Sequence, residues 1–172
     1  MKARLALQDR LLKRRAWLGF FSLGLLGLTG CATPRPPSNP SAAFWSGRMA
    51  LQLDGTPPQN WSTSFELQGS ATKGQLVLLS PLGTSLARLS WSPELAVLEQ
   101  GQDKTESPNL QSLSQRLTGT QLPIAALFEW LAGRALDEPG WQVDLTAYPQ
   151  GRLTASRITP APQAILRIVL ER

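Results

Sequence analysis

The sequence predicts a mainly β (α+β) domain, an antiparallel sheet with two short amphipathic helices laid over one face. Three observations point there. From Phe44 onward, short runs alternate apolar and polar residues with a period of two. The connections between these runs are too brief for crossover helices, which favours antiparallel neighbours. Two segments only, near Leu110 and near Ile124, switch to helical spacing. At 172 residues and 42% hydrophobic composition the chain can bury a core of its own.

The elements follow in order. Trp45, Gly47, Met49, Leu51 and Leu53 alternate with Ser46, Arg48, Ala50 and Gln52. Trp61, Thr63, Phe65 and Leu67 do the same against Ser62, Ser64, Glu66 and Gln68. Gln75–Leu79 is apolar on both faces and is expected to be a central strand. Leu86–Trp91 sets Ala87, Leu89 and Trp91 against Arg88 and Ser90, and Leu95–Glu99 follows a Ser92-Pro93 turn. Ser107 is expected to cap the first helix with Pro108 at its first position. Leu110, Leu113 and Leu117 form its apolar stripe, and Gly119 ends it. Pro123 opens the second helix, whose face is Ile124, Leu127, Phe128 and Leu131, with Gly133 as the stop. Gly140–Tyr148, Arg152–Thr159 and Ile165–Leu170 complete the sheet.

The charge is unevenly placed. Six basic residues and Asp9 precede Cys31, and they account for the whole net charge of +5; the remaining eleven basic and eleven acidic residues balance. A polyanion partner therefore has no footprint on the rest of the chain, and no nucleic acid is expected. With no His and one Cys, His-based triads, His-ligated metals and disulfide frameworks are excluded.

The first thirty residues read as an address. Met1–Arg15 is basic, and Ala16–Leu28 is uncharged but too short to span a bilayer. Leu28-Thr29-Gly30-Cys31 resembles the bacterial lipobox, Leu-x-Gly/Ala-Cys. That resemblance makes residues 1–30 a lipoprotein signal peptide and Cys31 the site of a diacylglycerol and an N-acyl chain. Ala32, rather than Asp, after the Cys resembles the signal that permits export to the outer membrane. Ala32–Ser41 holds four prolines and no large apolar residue, so 31–43 is expected to be a lipidated tether and 44–172 one lipoprotein-binding domain.

Several segments in this order resemble the LolB family. They are the lipobox, Gly47-Arg48-Met49-Ala50, Leu78–Gly83, Leu122-Pro123 through Trp130-Leu131-Ala132-Gly133, and Gly140-Trp141-x-Val143. The resemblance implies a curved, unclosed antiparallel β-barrel with a short helical lid over an apolar cavity. It implies an outer-membrane receptor, not an enzyme, that accepts acylated lipoproteins from a periplasmic carrier of the LolA type and inserts them into the outer membrane. It places the domain in the periplasm, anchored to the inner leaflet; the balanced charge after Cys31 and the tether give no reason to expect more than a monomer, and no metal and no cofactor beyond the lipid on Cys31 is expected.

The candidate acyl-cavity lining is Trp45, Met49, Leu51, Trp61, Phe65, Leu67, Leu76, Leu78, Leu89 and Trp91. Alternation leaves open which face is concave, so a share of these is expected to pack rather than line. The lid face is Leu113, Leu117, Ile124, Leu127, Phe128 and Leu131. Leu82, in the Ser80-Pro81-Leu82-Gly83 turn, matches the family's protruding leucine that helps insert cargo into the membrane. Arg48 falls on the polar face, where a solvated or ion-paired side chain is expected, with contact to a carrier or a lipid headgroup as the alternative. Three alternatives stand beside this reading: a carboxylate enzyme using Asp54, Glu66, Glu94, Glu99, Asp103 or Glu106, which sit in no recognisable motif; a structural or assembly lipoprotein; and a lipid-binding lipoprotein with other cargo.

Overall fold

The structure, a computed structural model, describes residues 43–171. The signal peptide, Cys31 and all but the last residue of the tether lie outside them. Nine strands run in chain order: β1 (Ala43–Asp54), β2 (Gln59–Gly69), β3 (Gly74–Leu79), β4 (Ser85–Trp91), β5 (Ala96–Gln100), β6 (Asp103–Ser107), β7 (Trp141–Asp144), β8 (Arg152–Arg157) and β9 (Gln163–Leu170). Helices α1 (Leu110–Thr118) and α2 (Ile124–Leu131) lie between β6 and β7. The strands make one antiparallel sheet in the order β6-β5-β4-β3-β2-β1-β9-β8-β7, so β6 and β7 are unpaired edges and the barrel is not closed.

The sheet is two meanders joined through β1. Met49 stands opposite Thr63 of β2 and Ile168 of β9. Side chains from β1 to β5, from β8 and β9, and from both helices fall into one apolar cluster. This is the signature of a sheet curled round its helices. The alternation sorts as expected: Met49, Leu51, Phe65, Leu67, Ala87, Leu89 and Trp91 turn inward and are buried. The central strand β3 is buried on both faces. Leu76 and Leu78 join the cluster, whereas Val77 points outward between Glu66 and Arg88, whose aliphatic stems can cover it.

Three boundaries differ from the sequence reading. Asn109, not Ser107, caps α1: its side-chain oxygen accepts from the Ser112 N–H at 3.2 Å. Ser107 precedes a proline, which disfavours helical backbone there, and it ends β6 instead. Strand β6 (DKTES) has no apolar face and so no alternation to mark it; it exists through its pairing with β5, as a charged edge. The expected strand Gly140–Tyr148 shrinks to Trp141–Asp144, because the Asp144 carboxylate accepts from the Thr146 N–H at 2.9 Å and turns the chain. Gly119 and Gly133, both with positive φ, follow the helices where stops were expected.

The apolar cluster draws only on residues 49–168, and residues 43–171 lie within one compact unit. A fragment beginning at Pro37 is therefore expected to fold by itself and to melt cooperatively in urea. In that fragment Leu67→Ala should lower the unfolding free energy by about 2–5 kcal/mol, and Leu95→Ala, on a half-exposed side chain, by about 0.5 kcal/mol or less.

Candidate functional site

The ten candidate lining residues share one side of the sheet, the side that meets the helices. Eight of them (Met49, Leu51, Phe65, Leu67, Leu76, Leu78, Leu89 and Trp91) are buried in the common cluster, and Trp45 and Trp61 pack against its margin. Of the six lid residues, Leu113, Ile124, Leu127, Phe128 and Leu131 are buried in the same cluster and Leu117 packs on its edge. In this conformation the space beneath the helices is filled by these side chains: Leu67, Leu76, Leu89 and Leu131 are 0% exposed.

Two clefts lie beside Trp45. A cleft of about 360 Å³ runs between the β2–β3 turn and α2, lined by Trp45, Gly69, Thr72, Phe128 and Glu129 among others. A second, of about 310 Å³, lies on the other side of Trp45, against Phe44, Tyr148 and Leu170. Both fall at the small end of ligand pockets, roughly 300–1,000 Å³. Phe128 stands between the first of these clefts and the interior. Its ring meets Trp45 edge-on at 5.5 Å between centroids and Trp91 at 6.2 Å. The Trp91 indole is in turn fixed by donating to the Ser70 carbonyl at 3.1 Å. An aromatic stopper, wedged between two tryptophans, thus stands between an outer cleft and a wholly apolar core.

Among the described residues few directional bonds hold the helices to the sheet and its connections. The Tyr148 hydroxyl donates to the Leu131 carbonyl at 3.0 Å, at the end of α2. Gly133 lets the tyrosine ring come this close, since a Cβ there would lie 2.5 Å from it. The buried Arg157 of β8 donates to the Thr120 hydroxyl in the connector between the helices. That connector is braced internally, with the Leu122 N–H donating to the Ser114 hydroxyl at 3.2 Å. At the mouth, Arg134 and Glu129 pair at 2.6 Å; the hydrogen bond from Arg134 holds the Glu129 carboxyl below its usual range. Acidification below the ordinary Glu range releases this exposed pair, and pH above that range leaves it intact.

Sequence reasoning missed two of these groups. Arg157 follows Leu153 and Ala155 in phase, so alternation alone places it on the core side, a position at which an Arg stands out. Trp130 falls off the expected helix face but is 0% exposed, its indole donating to the Leu136 carbonyl and its ring lying 6.1 Å from Trp141. The spacing rule assumes one wet face, and α2 has almost none: Ile124, Ala126, Leu127, Phe128, Trp130 and Leu131 are all buried.

Leu82 stands out as 93% exposed. Its turn is rigid: the Ser80 N–H donates to Thr84 O at 2.8 Å, and the Ser80 hydroxyl accepts from the Leu82 and Thr84 N–H groups. Arg48 is exposed on the outer face, as expected. The six carboxylates weighed for catalysis are all exposed and are spread over strands and turns. Among the described residues no helix is long and apolar enough to cross a membrane.

Comparison with known proteins adds a family. The model described as "Outer membrane lipoprotein LolB" matches residues 44–163. The chain is 35% identical over 156 residues to the outer-membrane lipoprotein LolB of Alkalilimnicola ehrlichii, covering 81% of this chain and 76% of that one. It is 30% identical over 143 residues to its counterpart in Dechloromonas aromatica, covering 69% and 75%. With the LolB of Bordetella petrii the identity is 25% over 183 residues, covering 90% and 92%.

The Phe128 stopper can be tested directly. Phe128→Ala is expected to lower stability by about 3–5 kcal/mol and to join the outer cleft to the interior. A fluorescent fatty-acid probe should then enter more readily than in the unaltered protein, as read by titration; unchanged uptake would show that the ring blocks nothing.

Proposed function

This chain belongs to the LolB family of outer-membrane lipoproteins, and we propose that it takes acylated lipoproteins from a soluble periplasmic carrier and releases them into the outer membrane. The observation that carries this reading is the continuous apolar interior, roofed by helices whose grip on the sheet is almost entirely non-directional. Dispersion and hydrophobic contacts have no required partner. An acyl chain can take over the contacts that Leu127, Phe128 and Leu131 make with the sheet, while the lid swings aside with few hydrogen bonds to break.

The energetics explain why no fuel is needed. Each methylene returned to water loses about 0.8 kcal/mol, so a chain of about 15 loses on the order of 12 kcal/mol if it is exposed in transit. A greasy path from carrier to receptor avoids that exposure. The direction of flow then needs only a ranking of affinities, tighter than the carrier and weaker than the bilayer. Cys31 would carry the receptor's own anchor, since two or three acyl chains hold stably where one is marginal. The twelve positions from Cys31 to Ala43 span at most about 40 Å, which keeps the domain beside the membrane.

Leu82 would act at the release step. A leucine projecting from a braced turn gains nothing from water and much from a bilayer surface. The decisive assay follows labelled acylated protein from carrier to the Pro37 fragment, then from the fragment to vesicles. Acceptance of cargo is expected; a scaffold protein would accept none, and a carrier of other lipids would take up phospholipid instead. Leu82→Glu should fold and accept cargo normally yet deliver it to vesicles at least about tenfold more slowly. Unimpaired delivery by that variant would remove Leu82 from the mechanism.

A further inference from the structure

The outer face of the sheet carries a charge pattern that acyl transfer does not use. Arg48 of β1 and Arg152 of β8 both stand opposite Val169 of β9, one on either side. Arg167 is two residues from Val169 along β9 and so shares its face. All three arginines are exposed, and Val169 is 47% exposed. Strand spacing puts Arg48 and Arg152 about 10 Å apart across β9, each on a diagonal of about 7–8 Å to Arg167.

None of the three belongs to an ion pair among the described residues. The outward positions next to them on the neighbouring strands are Ala50, Thr154, Ser62 and Ser64, all neutral. Three carboxylates lie at the margin of the patch: Asp144 of β7 stands opposite Thr154, diagonal to Arg152, and accepts from the Thr146 N–H at 2.9 Å, and the other two flank Ser46. Glu171 accepts from the Ser46 hydroxyl at 3.2 Å, and Glu66 stands opposite Ser46. No arginine of the three stands directly opposite another or opposite a carboxylate, so cross-strand pairing gives none of them a partner of opposite charge.

We propose that this face, Arg48, Arg152 and Arg167 around Val169, is a docking surface for an anionic phospholipid bilayer. Guanidinium groups bind phosphate through paired N–H bonds, and an apolar side chain among them suits the boundary between headgroup and acyl chain. The fold lines this face up with the leucine turn. Leu79, the last residue of β3, aligns with Ser64, then Arg48, then Val169 and Arg152, so the Leu82 turn extends from the end of the same row. The chain outside the structure agrees: Arg48 lies five residues into β1, and an anchor at Cys31 would confine the face to the vicinity of the membrane, where weak contacts suffice. That last point rests on the lipidation reading above; the charge pattern does not.

The test uses the unlipidated Pro37 fragment and cosedimentation with vesicles of phosphatidylcholine alone or mixed with phosphatidylglycerol. Binding is expected only to the anionic vesicles and should weaken as salt is added. Each of Arg48→Gln, Arg152→Gln and Arg167→Gln should weaken it about fivefold, and the triple variant on the order of 100-fold, with an unchanged melting curve. Equal binding to neutral vesicles, or undiminished binding by the triple variant, would overturn the assignment. So would binding to polyglutamate without binding to anionic vesicles, which would mark the face as a site for an acidic protein. The triple variant should still accept acylated cargo from the carrier. A fragment that accepts cargo but ignores anionic vesicles defeats this proposal alone; one that binds vesicles but refuses cargo defeats the transfer reading alone.

Discussion

Everything in this domain depends on mutual burial between the inner face of the sheet and two helices that could not stand alone. At nine and eight residues, α1 and α2 are below the length at which isolated helices persist in water, about 12–15 residues. Their stability comes from the sheet. The sheet, in turn, has an apolar face that would be an aggregation hazard if left uncovered. Neither layer is viable without the other, yet what binds them is chemically undemanding. Apart from the Arg157–Thr120 and Tyr148–Leu131 bonds and a 3.4 Å contact between the Ser107 and Ser112 hydroxyls, the attachment among the described residues is grease against grease. A fold that needs a cover but does not specify its chemistry closely is well suited to exchanging that cover for hydrocarbon.

The two faces of the sheet thereby divide the work. Inward residues supply the apolar surface, and the aromatic trio Trp45, Phe128 and Trp91 marks where it meets the outside. Outward residues carry the charge, partly neutralised at one side of the sheet by the cross-strand pair Arg88–Glu99 and left uncompensated at Arg48, Arg152 and Arg167. The zero net charge of the chain after the leader hides this separation, because a sum over residues ignores which face each one occupies.

How much of this was legible in the sequence depended on how local the cause was. Alternation in Trp45–Leu53, Trp61–Gln68 and Leu86–Trp91 reports a face against water and a face against apolar matter, and the structure follows it residue by residue. Gly119 and Gly133 marked helix ends because positive φ is a local demand. Which face curved inward was not legible, since a period of two is symmetric between faces; the helices decide it. Strand β6 was hidden because edge pairing with β5, not hydrophobicity, creates it. The pairing of β9 with β1 joins residues more than a hundred positions apart and leaves no trace in any short window. Arg157 was visible by phase but obscured by residue type, and Trp130 was obscured by the assumption that a surface helix keeps one side wet.

The unpaired edges β6 and β7 have a consequence of their own. In a closed barrel the number of strands and their stagger set the radius, and the girth cannot change without tearing a ladder. Here Asp103–Ser107 and Trp141–Asp144 are the two ends of the sheet and no ladder joins them. The circumference is therefore a soft variable: the wall can splay like a split collar, gaining interior room through small changes of twist spread over nine strands, with every existing ladder bond kept.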